Sequence, residues 1–399
     1  MKYNILEGDN RDTLKTLEDN SVDAIVTDPP YGIDFLGKDW DANTGALETY
    51  RECLRVLKPG GYILAFSAAR TYHHLAITLE QAGFEIRDQL MWIYSSGFPK
   101  AQDIGKSIQR RQGVEEYKTE KGTNAYPHTT KNQKMVVGSV TADDYKKEKT
   151  HPIPTSPEAK QWAGWKTALK PAHEPIAMAR KPFKGSNIDN VLTHGVGALN
   201  IDTTRIEVEG EDTRSGGANG VSRLTFGEGE TSNEDSFKQY TPNEQGRFPS
   251  NVIGEVAGYQ KYFYCPKVSR KERHIGFDTT QIPTSKGGML GTDGEWAPEH
   301  WHGEKGQKAK TTNSVGNNHP TVKPVELMKY LIKLVTPPNS TVLDPFTGSG
   351  STGMAATELG HTFIGCELDP NYVAIAERRI EAWNSQEQNP QFDSLFYEE

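Results

Sequence analysis

Short apolar runs without helical period recur near both ends of the chain: Val22-Asp23-Ala24-Ile25-Val26-Thr27, Tyr62-Ile63-Leu64-Ala65-Phe66, Thr341-Val342-Leu343 and His361-Thr362-Phe363-Ile364-Gly365-Cys366. Rich in β-branched residues, they predict strands buried on both faces, the pattern of a parallel sheet. Lys2 to Leu6 and Phe84 to Tyr94 predict two further strands. Stretches 11–17, 49–57, 71–82, 325–335, 354–359 and 371–380 predict helices, and Lys58-Pro59-Gly60-Gly61 stops one of them. Strand alternating with helix predicts an α/β fold.

The run from Val22 ends in Asp28-Pro29-Pro30-Tyr31. Two prolines fix their own φ and lack an N–H, so the chain leaves the strand without starting a helix. A carboxylate, the Pro29 carbonyl and an aromatic face are thereby set together at a strand's carboxyl end. That trio suits a planar ring bearing an exocyclic amino group: Asp28 and the Pro29 carbonyl accept its two hydrogens while Tyr31 stacks on the ring. A strand ending in a proline turn with a packing tyrosine is the plainer account.

A second stretch, Ser340 to Gly353, reads as strand, glycine loop and helix, followed by a strand ending at Glu367. In such a βαβ unit the glycines let backbone approach a ligand, and an acidic residue after the second strand can bind a ribose diol. Gly348, Gly350 and Gly353 also satisfy the dinucleotide spacing, so an NAD-dependent oxidoreductase is a rival reading.

With both stretches in view the chain resembles the DNA amino-methyltransferases that modify adenine N6 or cytosine N4. Its Asp-Pro-Pro-Tyr motif precedes Phe346-Thr347-Gly348-Ser349-Gly350, the order of the permuted β group, in a form resembling phage and prophage enzymes. The resemblance implies a Rossmann-like S-adenosylmethionine-dependent methyltransferase sheet with a large inserted target-recognition region. It implies catalytic roles for Asp28, Pro29, Pro30 and Tyr31, and S-adenosylmethionine as cofactor. Asn318-His319-Pro320-Thr321-Val322-Lys323-Pro324 resembles the family motif that closes over the methionine end of that cofactor. A cofactor site is therefore expected from Asp9, Thr321, Lys323, Asp344, Phe346, Gly348, Ser349, Gly350 and Glu367. Within it Lys323 would pair with the methionine carboxylate, Asp344 would accept from its ammonium, Phe346 would pack on it, and Glu367 would hold the ribose. Asp9 suits either a contact to the cofactor adenine or a helix cap. Asp28 in the first motif position favours adenine N6 over cytosine N4.

In the same fold, His173 to Pro182 resembles an edge strand pairing with the strand before it, and Pro175 and Pro182 suit an edge. The expected organisation is a catalytic core over 1–97, an inserted basic DNA-binding loop over 98–172, a returning edge strand over 173–182, a target-recognition region over 183–318, a cofactor-binding part over 319–385 and a disordered tail over 386–399. A hairpin connection as long as the insertion is either functional or without fixed structure, and much of it is expected to be mobile without DNA. Lys106, Arg110 and Arg111 in the insertion, and Arg270, Lys271 and Arg273 later, are candidate DNA contacts, with Trp162 and Trp165 as aromatics for unstacked bases. Residues 183–318 are expected to hold short strands, one at Asn190-Val191-Leu192, and little helix.

Charge sharpens this picture. The 399 residues carry a net charge of -8, an unpromising total for a DNA partner. Residues 100 to 200, however, hold 17 Lys and Arg against 10 Asp and Glu, so positive charge is concentrated where phosphate contacts are needed. Cys53, Cys265 and Cys366 are far apart without Cys-x-x-Cys spacing, which suggests neither disulfides nor zinc, and no metal is expected. No window approaches ~18 apolar residues, so a cytoplasmic protein acting on double-stranded DNA without a membrane is expected. A homodimer and a cognate restriction enzyme are partners compatible with this reading.

Overall fold

The chain opens with β1 (Tyr3–Glu7), a short α1 (Asn10–Thr13) and β2 (Val22–Thr27), then α2 (Leu47–Val56), β3 (Leu57–Phe66), α3 (Tyr72–Ala82) and β4 (Glu85–Ile93). The inserted segment follows with α4 (Ile104–Arg111), β5 (Lys118–Lys121), β6 (Thr150–Ile153) and α5 (Pro157–Gln161). Then come β7 (His173–Arg180), α6 (Asn187–His194), β8 (Val252–Gly254), α7 (Arg270–Arg273), α8 (Val325–Val335), β9 (Thr341–Asp344), α9 (Ser351–Glu358), β10 (Thr362–Glu367) and α10 (Pro370–Glu387). This computed structural model describes residues 3–33, 44–94, 101–113, 118–121, 150–206, 246–254, 268–278, 316–319 and 321–387.

Eight strands form one sheet in the order β1-β10-β9-β2-β3-β7-β4-β8. From β1 to β3 all pairings are parallel; β7 runs antiparallel to both β3 and β4, and β8 is parallel to β4. The apolar runs are continuous because each face of the sheet has its own core. Ala24, Val26, Leu64, Phe66, Met178 and Val342 point into one, where α8 and α9 pack. Ile25, Ile63, Ala65, Ala177, Ala179 and Leu343 point into the other, against α2 and α3. A period of two thus sends neighbouring residues to opposite cores. α8 buries Val325, Leu327, Met328, Leu331, Ile332, Leu334 and Val335. At ~1.5–3 kcal/mol for each large aliphatic side chain, it is firmly held against the sheet. Asp23 is the charged exception in β2. Its carboxylate accepts from Lys58 at 2.6 Å and from the Thr341 backbone at 2.7 Å, which ties the start of β9 to β2.

The returning strand lies inside the sheet and not at its edge, where the prolines had suggested it. Pro175 is tolerated because its carbonyl, and so its missing N–H, faces the end of β3: it accepts from Ser67 at 2.9 Å, just past the last ladder pair, Phe66 with Ile176. Pro182 falls outside the strand. The edge is supplied by β8, which pairs with the end of β4. Asn190-Val191-Leu192 belongs to a helix, not a strand. Ser186 and Asp189 close a capping box at its start and Gly195 (φ 72°) ends it. α10 runs past its expected end at Ile380 to Glu387. The remaining tail and Cys265 lie outside the described residues.

Residues 95–172 form a second unit. Within it Asp103 caps α4 and Ser156 caps α5, the Gln109 side chain accepts from the Thr155 backbone at 2.5 Å, and β5 pairs antiparallel with β6. Trp162 and Trp165 meet edge to face at 5.2 Å.

Candidate active site

β2 and β9 are neighbours, with Ala24 beside Val342 and Ile25 beside Leu343. Their carboxyl ends therefore deliver Asp28 and the glycine loop to adjoining positions. The join is direct: the Thr27 hydroxyl donates to Asp344 Oδ1 at 2.7 Å.

On the β2 side, Asp28 and Tyr31 belong to a polar cluster. The Tyr31 hydroxyl is 2.8 Å from Asp28 Oδ1 and 2.8 Å from Glu174 Oε2 at the start of β7. Lys323 Nζ donates to Asp28 Oδ2 at 2.5 Å and to the Tyr31 oxygen at 3.1 Å, and lies 3.5 Å from Glu174. Its ammonium also sits over the Phe66 ring at 4.9 Å and the Tyr31 ring at 5.3 Å. Among the described residues none donates to the Pro29 carbonyl.

On the β9 side, the loop from Pro345 to Gly350 leads into α9. Gly348 has φ 53°, and a Cβ there would stand 2.9 Å from His319 Nε2. The histidine ring thus lies on the loop. It meets Tyr372 edge to face at 4.7 Å and donates from Nδ1 to the Thr321 carbonyl at 2.5 Å. Burial pushes the imidazole down to about 4, so it is neutral at pH 7 with its remaining lone pair at Nε2. Glu367, at the end of β10, accepts from Gly348 N at 2.8 Å and Asp369 N at 2.9 Å. Phe346 is half-buried, its ring 6.4 Å from that of Tyr50.

A family model described as DNA methylase, of the N6 and N4 methyltransferases, matches residues 22–378. The chain belongs to that family. The methylase is 24% identical over 422 residues to the Type II methyltransferase M.HindIII of Haemophilus influenzae, with 94% of each chain covered. It is 44% identical over 64 residues to the DNA adenine methyltransferase YhdJ of Escherichia coli, covering 16% of this chain and 22% of that one. Among solved structures it is similar to the M1.HpyAVI–SAM complex, at 17% identity and a TM-score of 0.40 over 94% of this chain and 99% of that one. Membership makes the protein a DNA methyltransferase with S-adenosylmethionine as methyl donor, and it removes the nicotinamide reading of the glycines.

The residues present suit that donor. Glu367 uses one acceptor position on each oxygen and a carboxylate has about four, so a diol still finds partners there. The Ser351 hydroxyl, at the start of α9, is buried without a partner among the described residues, next to the loop backbone.

Three of the expected cofactor residues are differently employed in the methylase. Asp344 is enclosed: Oδ1 accepts from Thr27 and from Phe346 N at 3.0 Å, and Oδ2 accepts from Thr352 at 2.6 Å. Burial pushes its carboxyl up to about 6. It braces the loop, and its oxygens are not presented to an ammonium. Lys323 points to the cluster of Asp28 and Tyr31, drawn there by the Asp28 and Glu174 carboxylates. Burial lowers its affinity for a proton, but Asp28 and Glu174 raise it by more, so the net shift is upward. Asp9 caps α1, accepting from Arg11 N at 2.9 Å and from the Arg11 guanidinium, which holds its carboxyl below the usual range.

Of the candidate DNA contacts, Arg110 and Arg111 are exposed at the end of α4, Lys106 is partly exposed and Lys271 is exposed. Arg270 opens α7. Arg273 turns inward and donates to the His319 carbonyl at 2.9 Å, bracing the motif loop.

Residues without a sequence signal complete the site. Arg379 of α10 is fully buried and donates to the Ser349 carbonyl, to Ser349 Oγ at 3.0 Å and to the Glu272 carbonyl at 3.2 Å. The Glu272 carboxylate accepts from Val325 N at 2.7 Å, capping α8. Glu174 stands in a run read only as a strand. Its acidity became informative once β7 was placed two strands from β2.

Proposed function

We propose that this methylase transfers the methyl group to the exocyclic N6 of adenine in a base flipped out of double-stranded DNA. The observation that carries this is Asp28 at the carboxyl end of β2, one strand from the glycine loop, with its neighbour Thr27 bonded to Asp344. An exocyclic amine is a poor nucleophile because its lone pair is delocalised into the ring. Two acceptors aligned on its two hydrogens favour the tetrahedral nitrogen, and their hydrogen bonds strengthen as positive charge develops. Bound S-adenosylmethionine supplies a methyl carbon activated by a sulfonium. Glu367 and the loop backbone from Gly348 to Ser351 hold that cofactor, and His319 covers the loop. Because the amine lies inside the duplex, the base must leave the stack to reach Asp28.

Asp28 in the first motif position supports adenine over cytosine, as does local similarity to a relative named an adenine methyltransferase. Lys106, Arg110, Arg111 and Lys271 serve as phosphate contacts, and the insertion with residues 183–318 reads the target sequence. Similarity to Type II methyltransferases supports a cognate restriction enzyme in the same cytoplasm. Incubation with labelled cofactor and unmodified DNA, then nucleoside mass spectrometry, tests the reading. N6-methyladenine is expected; N4-methylcytosine would reverse the choice of base, and unlabelled DNA would reject the activity.

A further inference from the structure

The Tyr31 hydroxyl has one hydrogen, yet it lies 2.8 Å from carboxylate oxygens of both Asp28 and Glu174. One hydrogen serves one of these contacts. The other is a close approach of two acceptors unless a further proton enters the cluster. Methyl transfer to an amine releases one proton. We propose that Glu174 is the terminal acceptor of that proton, reached from Asp28 through the Tyr31 hydroxyl. This rests on the reading of Asp28 as acceptor for the target amino group, and it holds for adenine N6 and cytosine N4 alike.

The steps balance. The amine lone pair forms the nitrogen–carbon bond as the carbon–sulfur pair returns to sulfur, leaving a cationic nitrogen with one surplus proton. Asp28 takes it. The Tyr31 oxygen accepts it from Asp28 while its own hydrogen passes to Glu174, so tyrosine ends as it began with its hydrogen bond reversed. The hand-off is concerted, because a tyrosinate is disfavoured by burial and then by the Asp28 and Glu174 charges, which hold the phenol well above its usual range. Charge favours the transfer as well. Two carboxylates and the Lys323 ammonium leave one negative charge, which the arriving proton cancels. The groups facing Glu174 are Asp28 and Tyr31 from the turn after β2, Lys323 before α8, and Tyr94 after β4, whose hydroxyl bonds to it; Trp92 is its ladder partner and His173 its neighbour in β7. The Glu174 side chain is 20% exposed, so its proton can pass to water while the docked base covers Asp28.

The test compares full-length wild type with Glu174→Gln, Glu174→Asp and Tyr31→Phe. The wild-type product is identified first by nucleoside mass spectrometry, then single-turnover transfer is followed across the acidic to neutral range. Glutamine keeps the volume and an acceptor for Tyr31 but cannot take a proton, so a bracing role would survive that change. The expected result is transfer slowed by about 10–100-fold with unchanged cofactor affinity and a flattened acidic limb, and substantial recovery with aspartate. A wild-type rate profile in Glu174→Gln overturns the relay alone. Should Glu174→Gln not fold, an unaltered profile in Tyr31→Phe overturns it equally. A wild-type product without a methylated amino group rejects the underlying reading of Asp28 instead.

Discussion

Lys323 Nζ donates to Asp28 Oδ2 at 2.5 Å, joining residues 295 positions apart. The Asp-Pro-Pro-Tyr turn and the segment before α8 are thereby one electrostatic unit, although each was read separately for a different substrate. A buried ammonium between two carboxylates holds Asp28 in place. Its cost in desolvation is offset by those charges and by the Phe66 and Tyr31 rings.

Replacing Lys323 by methionine should therefore lower methyl transfer by at least about 10-fold, with a cofactor dissociation constant within a few-fold of wild type. The sequence alone suggested the reverse, a cofactor defect. Equilibrium binding of S-adenosylmethionine alongside single-turnover kinetics separates the two, and a selective loss of cofactor affinity would return Lys323 to the methionine carboxylate.

Asp28→Ala should abolish transfer while the cofactor still binds within a few-fold, since Glu367 ends β10 and the loop follows β9. Calorimetric titration checks the binding, and turnover persisting near the wild-type rate would remove Asp28 from the reaction.

Most of the sheet was legible because burial on both faces leaves a composition signature: β2, β9 and β10 stand out as apolar runs, and α8 lies over the expected residues. Proline misled at Pro175, where only the register shows that the lost N–H faces the end of a neighbouring strand. The capping pair Ser186 and Asp189 was a readable helix signal, outweighed by the apolar residues beside it. The motifs named residues that the sheet brings to adjoining strand ends, but not which side chain turns to which end. Lys323 could not be assigned from its motif because its partners, Asp28 and Glu174, come from strands distant in sequence. Arg379 is one arginine in a polar helix until α10 packs on the loop.

Gly348→Ala should weaken cofactor binding by about 10-fold or more and destabilise the fold by about 1–3 kcal/mol, since a side chain at φ 53° is strained and its Cβ would press on His319. Adding His319→Ala removes the clash but not the strained φ. The double variant should therefore recover part of the stability and little of the affinity, as read by thermal unfolding and cofactor titration. Full recovery of both would mean that the backbone strain contributes nothing.

Glu272 gives a pH dependence of defined sign. Burial pushes its carboxyl up to about 7 from an unfolded value of 4.5. The folded state then binds more protons than the unfolded state between those values, so this residue's contribution to stability falls as pH rises through that window. His319 acts in the opposite sense: its folded value near 4 lies below 6.5, so its contribution falls as pH drops. The difference between a variant and wild type isolates one of them. Glu272→Gln keeps an acceptor for Val325 N, and its stability relative to wild type should rise by up to ~3 kcal/mol from the acid to the neutral end of the window. Denaturant unfolding at a series of pH values measures it, and a difference that does not change with pH would mean that Glu272 does not titrate in the fold.

Removing residues 101–168, with a short flexible bridge in their place, tests the second unit. Its capped helices and the β5–β6 pair make their own contacts, and β7 is held in the sheet through β3 and β4. Cofactor affinity should therefore survive while DNA affinity falls by about 10-fold or more and its salt dependence becomes shallower, because the deleted segment carries Lys106, Arg110 and Arg111. Fluorescence anisotropy across a salt series, with cofactor titration on the same preparation, distinguishes the outcomes. An equal loss of both affinities would make the unit a structural support of the core, and an unchanged salt slope would move the phosphate contacts to residues 183–318.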